Sequence, residues 1–510
     1  MNDGGNVQQL MSTDNIQLRL PNEQETEDEE FRTMVSVDAN DRPLRVHFLS
    51  ANYFIRKHTH YTVENELGKG GQGAVYKVVR KDNATEVRAL KLMSRTPSSN
   101  LSAVRREVAV LTNLRAASVT NMMSNHSLCH WYDHAISSKW LLLMFQFCRG
   151  GDLQHVMKSI YKDSAKVLSL KSVREIGLQL LNALVFLQGQ GVMHLDVKPK
   201  NVFLEEVCGA VCKKSKFYEL NDPKVRLGDF GLAHRIQNEA GDKRSVIGTF
   251  SYCAPEVLLG FWDKYRTKHC AHGDQNPPQN LRDNPEIGMA SASDIWSLAV
   301  TLIQLVHGER LFALVMKELH AKTANKIHKI YYSIGKVQWV LGCVLPASMN
   351  EAFTTLQSEV FAETARSNQG MTEGSGETPT PAWYGKPWSP TAGEVTFAQV
   401  KQNVLSTRAT LVKKEPNKRH IKGEGAANVK FLFDLLDKML IYSGSSRITA
   451  ADALTHSFFT GPRKITRQPK KRRVGRRKSA GAPKTKKLKT AKKCRSVSAR
   501  KSRSVSARQS

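Results

Sequence analysis

Val192-Met-His-Leu-Asp-Val-Lys-Pro-Lys-Asn201 places an imidazole, a carboxylate, two ammonium groups and an amide on one short stretch. It follows a strongly periodic segment. From Ser172 to Leu187, the residues Val173, Ile176, Leu180, Leu181, Leu184 and Leu187 recur at helical spacing, which predicts an amphipathic helix with one buried face. That helix delivers the chain into the stretch. His194, Asp196, Lys198 and Asn201 can then supply a base, a cation and a metal ligand from one rigid loop.

Upstream, Glu64-Asn-Glu-Leu-Gly-Lys-Gly-Gly-Gln-Gly-Ala-Val-Tyr-Lys-Val78 reads as a strand, a glycine-rich turn and a second strand. Gly68, Gly70 and Gly73 alone are a weak signal. In a dinucleotide-binding fold a helix would follow them. Here the residues after Gly73 alternate and are β-rich. That predicts a hairpin lid whose glycines let backbone N–H groups approach phosphates, with Val75 just beyond it. Lys81 to Ala84 reads as a turn and Glu86 to Leu92 as a strand. Val87, Ala89 and Lys91 share one face, and Leu90 and Leu92 the other. An ammonium among small apolar groups is costly unless an anion meets it. The alternative is an edge lysine whose stem snorkels. Sixteen residues on, Glu107 sits in a helical pattern with Val104, Val108 and Leu111 and is the candidate partner. Trp140 to Phe145 is a continuous apolar run suited to a buried strand. Gln146 to Leu153, including Cys148, then loosens into a connector with two glycines.

Downstream, Val202 to Leu204 and Lys224 to Leu227 read as a hairpin. Between them Cys208 and Cys212 lie among lysines. One Cys pair with no second pair is poor evidence for zinc, and a solvated loop is the preferred reading. Asp229-Phe-Gly231 follows. Ala254-Pro-Glu256 ends a segment that contains Ser245 and Gly248-Thr249. Residues 260–290 are rich in Pro, Asn and Gln. His269, Cys270 and His272 could chelate a metal there, but a polar loop tip is preferred. Asp294 stands near the start of an apolar helix reaching Val306. Residues 310–428 depart from the pattern, helical from Phe312 to Val344 and rich in Gly, Pro and Thr from Gly370 to Pro390. Apolar helix resumes at Val429, and Arg447 to Phe459 reads as one final helix.

This ordered set resembles the eukaryotic protein kinases over Tyr61 to Phe459: the three glycines, Lys91, Glu107, the His194 to Asn201 loop, Asp229-Phe-Gly231, Ala254-Pro-Glu256, Asp294 and Arg447. The loop pattern is His-Arg-Asp-x-x-x-x-Asn, with Leu195 where Arg is usual. The resemblance implies an α+β, two-lobed kinase fold. A β-rich N-lobe would span 61–147 and a helical C-lobe 148–460, with inserts at 205–223, 260–290 and 310–428. It implies ATP and Mg²⁺ as cofactors and transfer of the γ-phosphate to protein hydroxyls. Gly68, Gly70 and Gly73 would cover the phosphates, and Val75 would lie over the base. Lys91 would hold the α- and β-phosphates and Glu107 would orient Lys91. Gln146 and Cys148 would grip adenine through their backbone, with Phe145 as gatekeeper. Asp196 would accept the substrate hydroxyl's proton and Lys198 would contact the γ-phosphate. Asn201 and Asp229 would bind the metal. Glu256 would pair with Arg447, and Asp294 would brace the loop backbone.

Lys198 and Gly248-Thr249 resemble the serine/threonine class. Leu195 removes the usual partner of an activation-segment phosphate, so activity is expected to depend little on phosphorylation at Ser245. His-Leu-Asp-Val-Lys-Pro is locally similar to the Wee/Myt and Mos kinases, which makes a dual-specificity cell-cycle kinase the alternative. A kinase-fold scaffold would be expected to lose Lys91, Asp196 or Asp229, and all three stand.

The net charge of +30 is unevenly placed. From Gly461 to Ser510 there are 21 Lys or Arg and no Asp or Glu, which leaves +9 for residues 1–460. The tail carries a repeat, Arg495 to Arg500 and Arg503 to Arg508, and few apolar groups. It cannot build a core. It would suit a nuclear import receptor or a nucleic acid, bound salt-dependently. Residues 1–60 read as a polar, largely disordered leader with an acidic run from Glu23 to Glu30. Eight scattered Cys and the lack of a signal pattern point to a reducing intracellular setting, nuclear or cytoplasmic. No apolar run approaches the roughly 18 residues of a membrane span.

Overall fold

Regular structure starts well before Tyr61. The computed structural model describes residues 34–37, 43–49, 58–70, 73–94, 100–120, 127–136, 140–162, 166–207, 209, 215–235, 248–269, 290–312, 326–369, 395–415 and 423–461. The chain divides into two units, Met1–Arg463 and Lys464–Ser510, and every described residue lies in the first. Met34–Val37 (β1) and Pro43–Leu49 (β2) pair antiparallel, and β2 pairs antiparallel with His58–Gly70 (β3). The expectation of disorder up to residue 60 is corrected for these strands. Burial is the reason: Val46 lies opposite Tyr61, and both enter an apolar cluster with Val78, Leu90 and Leu142.

Gly73–Arg80 (β4), Asn83–Ser94 (β5), Trp131–Ile136 (β6) and Trp140–Gln146 (β7) complete a seven-stranded sheet ordered β1-β2-β3-β4-β5-β7-β6. The strand expected at Glu86 to Leu92 is longer at both ends, but its alternation holds. Leu90 and Leu92 join the cluster on one face and Lys91 points to the other. On that second side, helix Asn100–Thr120 (α1) buries Val104, Val108, Leu111 and Leu114 in the cluster that contains Leu141 and Leu143.

The helical lobe is built on Leu170–Gly189 (α3), which follows Leu153–Tyr161 (α2). The Ser169 side chain caps α3 by accepting from Ser172 N. Its expected apolar face is almost wholly buried, with Val173, Ile176, Leu180 and Leu187 at 0% exposure. Each such side chain contributes about 1.5–3 kcal/mol, far more than any helix propensity, so packing holds α3 in place. After Pro255–His269 (α4), the helix Ala290–His307 (α5) is buried along the described length of both its faces, as its apolar sequence demands.

Several short strands align the site loops. Gly151–Asp152 (β8), Val202–Leu204 (β11) and Val225–Leu227 (β13) form one sheet, with β11 and β13 antiparallel as expected. Val192–Met193 (β10) pairs with His234–Arg235 (β14), which ties the entry of the central loop to the segment after Asp229.

The inserts are more ordered than expected. Phe217–Tyr218 (β12) pairs parallel with Val167–Leu168 (β9), and Phe217 and Leu220 are fully buried, so the second half of 205–223 is core rather than solvated loop. Residues 260–269 continue α4, where Trp262 is buried and donates to Glu359. Within 310–428 the helices are Lys326–Leu341 (α6), Ala347–Gln369 (α7) and Phe397–Lys414 (α8). The last two were not anticipated. Arg408 of α8 is buried against Glu424 and donates to Leu168 O at 2.6 Å, while Glu424 accepts from Leu170 N at 2.8 Å. The insert thus anchors the start of α3. Ala426–Met439 (α9) resumes the core. The expected final helix is two short ones, Ala450–Leu454 (α10) and Ser457–Thr460 (α11), because His456 caps the second.

The two-lobed α+β architecture is therefore as expected. Among the described residues no helix is long and apolar enough to cross a membrane. Cys208, Cys212, Ser245, Cys270, His272, the acidic run at 23–30 and the basic tail lie outside the described residues.

Candidate active site

Three charged groups from three elements meet under the sheet. Lys91 Nζ of β5 lies 3.0 Å from both carboxylate oxygens of Glu107 on α1 and 3.3 Å from Asp229 Oδ1. Lys91 is 8% exposed and Glu107 2%. The snorkelling alternative is excluded. Burial alone would lower the Lys91 pKa, but Glu107 and Asp229 together raise it, so the ammonium stays charged. Asp229 has a left-handed backbone (φ 61°), which aims its carboxylate at Lys91. Burial pushes that carboxyl up; Lys91 and His194 more than reverse this and hold it below the usual range.

The central loop is clamped from behind. Asp294, at the start of α5, accepts from His194 N and Leu195 N at 2.8 Å each. His194 Nε2 lies 3.1 Å from Gly228 O, and its ring packs edge-on against Phe230. Leu195 takes φ 64°, a strained region for a leucine, and the two bonds to Asp294 hold it there.

Asp196 is the best-connected group of the site. Its Oδ2 accepts from Lys198 Nζ at 2.6 Å and from Asn201 Nδ2 at 2.9 Å. Its Oδ1 accepts from Thr249 N and Thr249 Oγ1, both at 3.0 Å. Lys198 Nζ also reaches Thr249 Oγ1 at 2.7 Å. Thr249, expected from the sequence only as a mark of the serine/threonine class, thus stands among the site residues. The segment reaches it because position 248 is glycine: a Cβ there would sit 2.2 Å from Leu195 O. Thr249→Val removes one donor to Asp196 and the hydroxyl that meets Lys198, but keeps the backbone bond. We expect a turnover loss of about tenfold, with Thr249→Ser close to wild type, in a steady-state phosphate-transfer assay.

Around the cleft rim the expected positions are also brought together. Val75 is the register partner of both Gly68 and Lys91, which places it over the site beside the lysine. Gly70 pairs with Gly73 across the turn. Gly73 has φ +144°, and a Cβ there would lie 2.3 Å from Leu92 O, so only glycine fits. At the connector, Phe145 pairs with Ala89 and Trp131. Gln146 is held by its N–H on His130 O (2.8 Å) and its amide on Glu205 (2.9 Å). Cys148 follows, half-buried, and its carbonyl accepts from Gly151 N. Glu205 lies at the edge of the expected insert 205–223. Its side chain instead holds Gln146, and its carbonyl accepts from Arg149 N at 2.9 Å.

The donor set suits a hard divalent cation. With Nδ2 of Asn201 spent on Asp196, the atom of that amide left for a cation is Oδ1, and Asp229 adds carboxylate oxygen. Among the described residues there is no cluster of three or more His, Cys, Asp or Glu that could hold a metal. A pair of oxygen ligands from the chain fits an ion that keeps several waters and shares substrate phosphates, which is the habit of Mg²⁺. In the buried corner Glu256 and Arg447 form a bidentate pair at 2.6 and 3.2 Å, remote in role from the chemistry.

Comparison with known proteins agrees with this geometry. The family description "protein kinase domain" matches residues 61–459. The chain is 29% identical over 252 residues to serine/threonine-protein kinase pakE of Dictyostelium discoideum, covering 49% of this chain and 21% of that protein. It is 27% identical to cell division control protein 7 of Schizosaccharomyces pombe, over 48% of this chain and 18% of the relative. It is 26% identical to serine/threonine-protein kinase ULK3 of Xenopus laevis, over 50% and 43%. The chain thus spans less than half the length of each of these relatives.

Proposed function

The chain belongs to the protein kinase family, and from that premise we propose that it is an ATP-dependent protein serine/threonine kinase. The observation that carries the reading is the Asp196 carboxylate, which is held by Lys198, Asn201 and Thr249 while the Lys91–Glu107 pair is closed. A carboxylate so fixed orients a substrate hydroxyl and takes its proton as the phosphoryl group moves. Lys91 binds the α- and β-phosphates, and Glu107 keeps its ammonium aimed. Lys198, beside Asp196, meets negative charge on the transferred group. Asn201 and Asp229 would hold Mg²⁺, which would neutralise phosphate charge when bound. Gln146 O and Cys148 N grip adenine. Names that include serine/threonine kinase among the relatives, together with Lys198 and Thr249, support the hydroxyl class.

The test is phosphate transfer from labelled ATP and Mg²⁺ to a basic protein substrate, followed by phosphoamino-acid analysis. Label is expected on Ser and Thr. Label on Tyr would replace this reading with the dual-specificity one, and absence of transfer by the intact chain would end both. Because Leu195 replaces the arginine that would meet an activation-segment phosphate, Ser245→Ala is expected to transfer phosphate close to the wild-type rate. A collapse in that rate would show that another cation reads the phosphate.

The basic tail is proposed to serve nuclear import and polyanion binding. Deleting residues 462–510 is expected to abolish salt-dependent retention on a polyanion column and to leave transfer to a short peptide unchanged.

A further inference from the structure

The central loop carries two ammonium groups, and the chemistry of the site uses one of them. Lys198 is spent on Asp196 and Thr249. Lys200 is left over. It stands in the short turn Pro199–Asn201, exposed between two buried neighbours. Asn201 N donates to Lys198 O at 2.9 Å and Val202 N to Pro199 O, which closes the turn. The Asn201 amide then ties the turn to Asp196, with bonds of 2.9 Å to its carboxylate and to its backbone carbonyl. Lys200 is therefore one residue, about 3.8 Å of chain, from a side chain in contact with that carboxylate. Among the described residues no ion pair or hydrogen bond engages the Lys200 side chain. The acids on the adjoining strands are committed elsewhere. Asp152, opposite Phe203, accepts from His155 N at 2.8 Å and caps α2. Glu205 holds Gln146 and Arg226, and Glu206 lies 3.8 Å from Arg149. Beyond Thr249, the stretch from Gly248 to Ala254 contains no acid, Tyr252 donates to the Gln304 amide, and Glu256 is spent on Arg447. These segments offer a spare positive charge and no spare negative one.

We propose that Lys200 is a specificity-determining residue, which selects protein substrates carrying an acidic side chain two or three residues from the phosphorylated hydroxyl. The inference rests on the kinase reading, in which Asp196 marks where that hydroxyl sits. In an extended substrate, side chains two and three residues away lie about 7–10 Å along the chain. A lysine rooted one residue from Asn201, with a long flexible stem, covers that distance. The same charge disfavours a lysine or arginine at those places, so selection works by attraction and by repulsion together. Lys200 is exposed, so its pairing with a substrate carboxylate is screened by solvent, and the preference is graded rather than absolute. A basic protein is still phosphorylated, more slowly than an acidic one. The effect falls on substrate binding and leaves the Asp196 carboxylate and its donors in place.

The experiment uses the full chain with three peptides that share one central serine. They differ only two and three residues to either side of it, where they carry glutamate, alanine or lysine. The quantity read is the ratio of kcat/KM for the glutamate peptide to that for the lysine peptide, taken within each protein, so that any general loss of activity cancels. In the wild type a ratio of about ten is expected at low salt, carried mainly by KM. It should shrink as ionic strength passes about 0.15 M, where the Debye length is about 8 Å. Lys200→Arg is expected to keep the ratio and Lys200→Ala to bring it toward one. Lys200→Glu is expected to invert it, which a merely structural role for Lys200 would not do. Transfer to none of the peptides overturns the kinase reading. Equal transfer to all three by the wild type overturns this inference alone. The basic tail can also attract an acidic peptide, so a ratio that stays at the wild-type value in both Lys200→Ala and Lys200→Glu would assign the preference to the tail and overturn the role of Lys200.

Discussion

Asp196→Asn is expected to lower turnover by about a hundredfold to ten-thousandfold, the range a positioned acid–base group contributes. The argument is one of donors and acceptors. Asp196 accepts from Lys198 and Asn201 on one oxygen and from the Thr249 N–H and hydroxyl on the other. An asparagine must turn its NH₂ toward one of these pairs, so two donors lose their acceptor and face a third donor. The side chain also loses the charge that takes the hydroxyl proton. ATP affinity should change little, because Lys91, Glu107 and the connector are untouched. Single-turnover transfer and fluorescent-nucleotide binding separate the two effects. Wild-type turnover in the variant would remove Asp196 from the mechanism.

The second large effect is on stability. Arg447 and Glu256 side chains are both fully buried, and Arg447 also donates to Ala292 O, Ile441 O and Tyr442 O. Its guanidinium lies 5.2 Å from the Trp296 ring. Arg447→Met leaves the Glu256 carboxylate without its cation in a buried site and three carbonyls short of a donor. Losing one partner of such a pair costs about 3–5 kcal/mol, a large share of a typical folding free energy. The urea midpoint should fall accordingly. Glu256→Leu combined with Arg447→Met should recover part of the loss, because the stranded charge is gone. If the single variant unfolded at the wild-type midpoint, the pair would contribute nothing and the corner would be held by packing alone.

Other residues show where reading along the chain stops. The alternation of Leu44, Val46 and Phe48 is visible in the sequence, yet the polar, acidic surroundings hid it. Only pairing with β3 gives those strands a face to bury. Arg408 and Glu424 look like ordinary surface charges in a charge-rich insert. Folding makes them a buried pair that holds Leu168 and Leu170, some 240 residues earlier.

The sequence by itself determined the two-lobed fold and put forward Lys91, Glu107, Asp196, Asn201 and Asp229 as one candidate set. The chemistry proposed for those groups is one that few residue types can perform, and they stand at spacings that strand and helix periods leave readable. The tertiary structure alone decided that Thr249 completes the Asp196 node and that Glu205 holds the connector. Each of these depends on segments brought together from a distance. Such contacts are selected by burial and close packing in three dimensions, and neither leaves a period along the chain.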